Sequence, residues 1–270
     1  MSAPLSTLHQ HGGEHPMSPR RILATLIVVP TLALSTTTAR AETVNCTAIT
    51  TIPAVISVQG VYCFTANLAT NINAGIAIDI QTNNVVLDLN GFKLGGLSAG
   101  FGTAAHGIHA LDRQNITIKN GTVRGFLKGI FLENVSLSQG HVIEGIRADQ
   151  NTLVGIEVDG AGNIVRNNQV VATGGTTTLP NASAFGILML GSGPRVLNND
   201  VINTFKQGSG IATGINFNGA TGSFAVNNRI TTADRGIDYS NAASGKYRDN
   251  LTFGVTTPFT GTGTAVGTND

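Results

Sequence analysis

Short apolar runs recur along the chain from about residue 56 to residue 253, and each ends at a similar polar step. The clearest is Asn83–Gly95, NNVVLDLNGFKLG. Val85, Leu87 and Leu89 alternate with Val86, Asp88 and Asn90, the period of a strand with one buried face. The run stops at Asn90-Gly91, two residues that tolerate a left-handed backbone, and a second apolar run, Phe92–Leu94, begins at once. The chain therefore turns a corner between two short strands without folding back into a hairpin.

That corner repeats. Gly-Ile occurs at Gly75-Ile76, Gly107-Ile108, Gly129-Ile130, Gly155-Ile156, Gly186-Ile187, Gly214-Ile215 and Gly236-Ile237, with successive isoleucines 22 to 32 residues apart. A pair follows each one: Asn90-Gly91, Asn120-Gly121, Glu144-Gly145, Asn167-Asn168, Asn198-Asn199, Asn227-Asn228 and Asp249-Asn250. Its second member is always Gly or Asn, and we expect that member to carry the positive φ. A unit of about 22 residues fits one turn of a three-strand coil, with the excess in loops. The pattern predicts an all-β parallel β-solenoid of about seven to nine coils, three strands per coil. A single coil cannot bury its apolar side alone, so the core comes from stacking. A β-sandwich would need hairpin turns that this single phase does not supply.

The Gly-Ile rungs, VVLDLNG and ITIKNGTVRGF (Ile116–Phe126) resemble the right-handed parallel β-helix superfamily, the broad pectate-lyase-like class. The lead-in Gly60-Val61-Tyr62-Cys63 resembles the first-coil entry of its secreted members. The resemblance implies the fold. It leaves activity open, because the fold hosts lyases, hydrolases, epimerases and adhesins. Its lyases use a basic residue and often Ca²⁺. No motif of such an enzyme matches residue by residue.

The ends of the chain add compartment and organisation. Arg20-Arg21, the apolar run Ile22–Leu34 and Ala39-Arg40-Ala41 have the order of a secretory signal, with cleavage expected before Glu42 and Met17 as an alternative start. The run is short for a membrane span and contains Pro30, so no integral membrane span is expected in the mature form. We read residues 1–41 as signal peptide, 42–253 as one β-helix domain with its cap, and 254–270 as a Gly/Thr-rich tail or cap. Export, to the periplasm or the medium, favours a disulfide between Cys46 and Cys63, the only cysteines, over two free thiols. A bridge there would staple the first coil. The net charge of +1 gives no basic face for nucleic acid.

Candidate chemistry comes from the outward positions. With each Ile of Gly-Ile inward, one outward column reads Ala77, His109, Phe131, Glu157, Leu188, Asn216, Asp238. The next reads Asp79, Leu111, Glu133, Asp159, Leu190, Asn218, Ser240. His109, Glu133, Glu157 and Asp159 fall on adjacent coils and are the candidate catalytic residues, suited to acid–base cleavage of a glycosidic bond. The same oxygens suit Ca²⁺; no other metal motif is present, His106-x-x-His109 being too short. They are equally what any solvated sheet face carries. Lys128, Phe131 and Arg147 are candidate substrate contacts, the cations being placed to neutralise a uronate. Loops at Gly95–Ala105 and Gly174–Ala184 are expected to wall the cluster on both sides. The partner so predicted is a polysaccharide, with an acidic one in view. A non-catalytic adhesin-like or envelope module is the alternative, favoured by 11% charged residues and the absence of Trp.

Overall fold

The structure is a computed structural model describing residues 45–270. The expected signal segment lies outside the described residues. The described chain is all β apart from one 3₁₀ turn, Leu97–Ala99, and winds as a parallel β-solenoid of about eight turns. Every strand pair is parallel, and each strand pairs with the equivalent strand one coil on. Three stacks result. The first sheet contains Ile76–Ile80, His106–Leu111, Lys128–Glu133, Val154–Val158, Ala184–Met189 and Ala212–Asn218. The second runs from Gly60–Phe64 through Val85–Asp88 and the start of Ile116–Arg124 to Gly245–Arg248. The third includes Lys93–Gly95, Gln169–Val171 and Asp200–Ile202.

Each coil turns three corners, and from the second complete coil on most corners hold a residue at positive φ. At the first it is Asn84, Asn115, Gly140, Gly162, Gly193 and Gly222, at φ 56 to 71°. At the third it is Gly125, Gln150, Ala172, Asn203, Thr232 and Gly254. The second corner carries the Asn pairs, and here the structure corrects the expected geometry. In the last four pairs the first member takes the positive φ, Asn167 and Asn198 at 56°, Asn227 at 53° and Asp249 at 56°, whereas Gly91 (76°) and Gly145 (62°) carry it as expected. The second member turns inward. Asn168, Asn199, Asn228 and Asn250 are buried, and each Nδ2 donates to the next Oδ1 at 2.9–3.1 Å, the last to Asn269. The same amides also donate to strand carbonyls, Asn199 to Val165 and Asn228 to Val196. Glu144-Gly145 is out of phase with its neighbours. Glu144 pairs with Lys119, and Ile146 pairs with Gly121, so Gly145 (φ 62°) takes the place of Asn120.

The Gly-Ile rungs hold because space forbids anything larger. Gly107, Gly129, Gly155, Gly186, Gly214 and Gly236 face the interior, and a Cβ on any of them would lie 2.3–2.9 Å from a carbonyl oxygen of the next coil. Ile108, Ile130, Ile156, Ile187, Ile215 and Ile237 stack in register and are at most 1% exposed. The first rung is shifted from the expected alignment: Ile78, not Ile76, pairs with Ile108. Asp79 therefore stands beside His109, and Ala77 is buried. Cys46 and Cys63 are bonded, with Cα atoms 5.8 Å apart, on the first described turns. Residues 254–270 add strands to the stack. Leu251–Gly261 pairs along Arg229–Ser240 as far as Tyr239↔Gly261, and Thr264–Ala265 pairs with Gly245–Arg248.

His141 pins the first corner from inside. The Ile116 N–H donates to its Nδ1 at 3.2 Å, so the proton sits on Nε2, 2.8 Å from Ser138 Oγ. Ser138 Oγ donates to the Asp159 carbonyl at 2.9 Å. Burial pushes the imidazole pKa down from 6.5 to about 4, against a smaller opposing effect of the Arg113 backbone. The residue is structural, as its apolar neighbours Val142 and Ile143 imply.

This packing sets expectations for three substitutions. Gly186→Ala places a methyl 2.4 Å from Val201 Cγ1 and 2.6 Å from the Gly214 carbonyl, and should cost about 1–3 kcal/mol in urea denaturation. Gly193→Ala, at φ 66° in open space, should cost about 1–2 kcal/mol of backbone strain with no packing loss. The rung reading fails if Gly186→Ala is neutral. His141 has a folded pKa below its unfolded value, so its contribution is complete above pH 6.5 and is lost as the pH falls toward about 4. The stability gap between the wild type and His141→Asn should shift against the wild type by about 2 kcal/mol from pH 8 to pH 5. A gap that does not change with pH contradicts a buried neutral imidazole.

Candidate functional site

Alternation on the first sheet sends three columns outward. The first is Ile76, His106, Lys128, Val154, Phe185, Thr213, Arg235. Beyond the two inward positions stands Asp79, His109, Phe131, Glu157, Leu188, Asn216, Asp238. Leu111 and Glu133 belong to the last column. Asp159 continues it, its N–H donating to the Leu132 carbonyl.

The face forms two linked groups. His109 bridges two carboxylates, with Nδ1 3.1 Å from Asp79 Oδ1 and Nε2 3.4 Å from Glu133 Oε2. Asp79 was expected one column away; the shifted register places it at this ring. One coil on, the Lys128 ammonium lies 3.5 Å above the Phe131 ring centroid and 2.8 Å from Glu157 Oε2. Phe131 also meets both imidazoles, at 5.2 Å for His106 and 5.3 Å for His109. Lys128 is thus positioned twice, by ring and by carboxylate.

Glu157 is 8% exposed. Burial pushes its carboxyl pKa up, Lys128 pulls it back, and Asp159 and Glu133 push it further up. Asp159 is also raised, mainly by burial; the Gly160 N–H, 2.6 Å from Oδ1, opposes this, and Glu133 and Asp112 add to it. His106 is pushed down to about 4, first by burial, then by Lys128 and His109, with Glu133 opposing. Neutral His106 and two carboxyls biased toward the acid form make this the place on the first sheet where a proton could be held for transfer.

The structure brings His109, Glu133, Glu157, Asp159, Lys128 and Phe131 onto one face. Arg147 does not join them. It lies on the third sheet beside Thr122 and Gln169, hydrogen-bonds Gln169 and stands 3.5 Å from Asp149. The loops also depart from expectation. They do not stand on opposite sides of the cluster but meet each other at the third corner: Thr177 N–H donates to the Phe101 carbonyl at 3.0 Å, and Thr178 Oγ1 to that of Gly102 at 2.9 Å. Ala182 of the second loop packs with Leu127, Leu153, Val154 and Leu188, so the face next to Glu157 is apolar and covered. Among the described residues, no group of three or more His, Cys, Asp or Glu is arranged to hold a metal ion. Asp79 and Glu133 take opposite nitrogens of His109, an arrangement that spreads the carboxylates along the ring instead of focusing them on a cation.

No protein-family model matches the sequence, and no curated protein matches it significantly. Two solved structures are similar in outline. The enzymatically active domain of bacteriophage CBA120 tailspike protein 2 is 13% identical with a TM-score of 0.41, over 80% of this chain and 39% of that one. The Dettilon tailspike protein is 15% identical with a TM-score of 0.44, over 82% of this chain and 60% of that one. The chain spans less than two thirds of either protein. What the geometry itself establishes is a parallel β-helix that carries an ionisable cluster on its first sheet.

Proposed function

We propose that the protein is exported and binds a polysaccharide along the first sheet, with Glu157 and Asp159 serving as a proton-handling pair for cleavage of a glycosidic bond. The observation that carries this reading is the Lys128–Phe131–Glu157 group, in which an aromatic face and a cation sit against a buried carboxyl biased toward its acid form. Phe131 offers an apolar surface to a sugar ring, and Glu157 is a hydrogen-bond donor when protonated. Asp79 and Glu133 alone outnumber Lys128 on this face, so the charge balance favours a neutral chain over an acidic one. The disulfide supports export. A second reading, a non-catalytic surface or envelope module, draws on the fact that His109 and Glu157 each already have a charged partner within the protein.

A glycan array probed with the purified protein, with and without Ca²⁺ and with product release followed by reducing ends and by unsaturated-uronide absorbance, separates the two. Glu157→Gln should lower turnover about 100-fold or more while shifting Tm by no more than about 2 °C. Asp159→Asn should act in the same direction. Turnover unchanged in both variants refutes the acid role. Binding without turnover in the wild type moves the protein to the module reading.

A further inference from the structure

The first of the two loops that were expected to wall the carboxylates helps to line a different site, and the second holds it in place. Beside their meeting point at the third corner lies a cleft of about 520 Å³, lined by Leu97 and Phe101 of the first loop, Phe205 of the segment after Asp200–Ile202, and Gln150, Thr152 and Ala172 of the corner, together with two glycines. That volume lies within the range of small-ligand pockets. No charged residue lines it.

Several features show that the cavity is built into the fold. The Thr177 and Thr178 hydrogen bonds hold the Phe101–Gly102 backbone, and the Phe205 N–H is held by the Thr173 carbonyl at 2.9 Å. Gly175 lies between the rings. A Cβ there would come within 2.7 Å of Phe205 Cε2 and 3.1 Å of Phe101 Cε1, so glycine keeps the space beside both rings open. Gly125 has φ 76°, and a Cβ there would strike Leu97 N at 2.4 Å, so the loop can lie on the corner only with glycine. Phe101 nonetheless stays 57% exposed and Leu97 43%, an apolar cost in water that a ligand would remove. The second observation is polar. Thr152 is 4% exposed and its Oγ1 has no hydrogen-bond partner among the described residues.

Phenyl rings, an unpartnered hydroxyl, the Gln150 amide and the absence of charge are the complement of an uncharged sugar ring, which has apolar C–H faces and hydroxyls at its rim. We infer that the cleft formed by Phe101, Phe205 and Thr152 is a second carbohydrate site, specific for a neutral pyranose unit of a glycan chain. It lies at the third corner, apart from the Glu157 cluster, and does not depend on cleavage there.

The test is methyl NMR of the full protein, following the Thr152 and Ala172 methyl signals while lactose, maltose, cellobiose and mannobiose are added, with digalacturonate as the charged control. At least one neutral disaccharide should shift both methyls with a Kd at or below about 10 mM. Phe101→Ala should weaken that binding about tenfold. Thr152→Val should weaken it without lowering Tm, because the hydroxyl it removes has no partner in the protein. Glu157→Gln should leave it unchanged, which separates failure here from failure of the cleavage reading. No shift with any of the four sugars, equal binding of digalacturonate, or an unchanged Kd in Phe101→Ala would each overturn the proposal.

Discussion

The fold depends on the line of buried asparagines at the second corner. A parallel coil must pair its corner backbone with something, because unpaired amides and carbonyls inside a dry stack are costly. Asn168, Asn199, Asn228 and Asn250 meet that demand in two directions. Along the stack each carboxamide bonds the next; across it each Nδ2 reaches a strand carbonyl. A slip of one residue would bring a charged side chain such as Asp200 or Arg229 into this position and turn the apolar face of each strand outward, so the ladder fixes register as well as stability. Once register is fixed, the isoleucines stack, the glycines admit the next coil's carbonyls, and the outward columns fall into line.

That register is what makes a site. His109, Phe131 and Glu157 are 22 to 26 residues apart in sequence and become neighbours only because successive coils repeat one phase. Irregularity supplies the rest. The two long loops leave the same corner region and bond to each other; the second packs apolar residues beside Glu157, and the first faces Phe205 across a neutral cleft.

Most of the architecture was legible because it is periodic. Gly-Ile and the Asn pairs mark rungs and corners that any alternation count recovers, and the outward cluster follows from them. The errors have local causes. Ile76-Ala77-Ile78 alternates so that either isoleucine could stand beside Ile108, and the choice decided whether Asp79 reached His109. Glu144-Gly145 looked like a corner pair, yet Gly145 alone takes the corner, and Arg147 beyond it lies on the third sheet, away from the cluster. Corners built on Ala172 and Thr232 carry no signal, since neither residue favours positive φ. The meeting of Phe101 with Thr177 is a contact between two aperiodic segments, and no pattern within either segment encodes it.

The most direct measurement compares two neighbouring substitutions, Asn199→Asp and Asn198→Asp, in urea denaturation at pH 7. Both add the same charge one residue apart. Asn198 keeps its exposed positive-φ corner, and its Oδ1 still accepts from Asn227. Asn199 would lose the amide that donates to Val165, Leu197 and Asn228, and would set a buried carboxylate against their oxygens. The account predicts a loss of about 3 kcal/mol or more for Asn199→Asp and under about 1 kcal/mol for Asn198→Asp. Equal losses, or the reverse order, would contradict the claim that the inward asparagine ladder holds the coils in register.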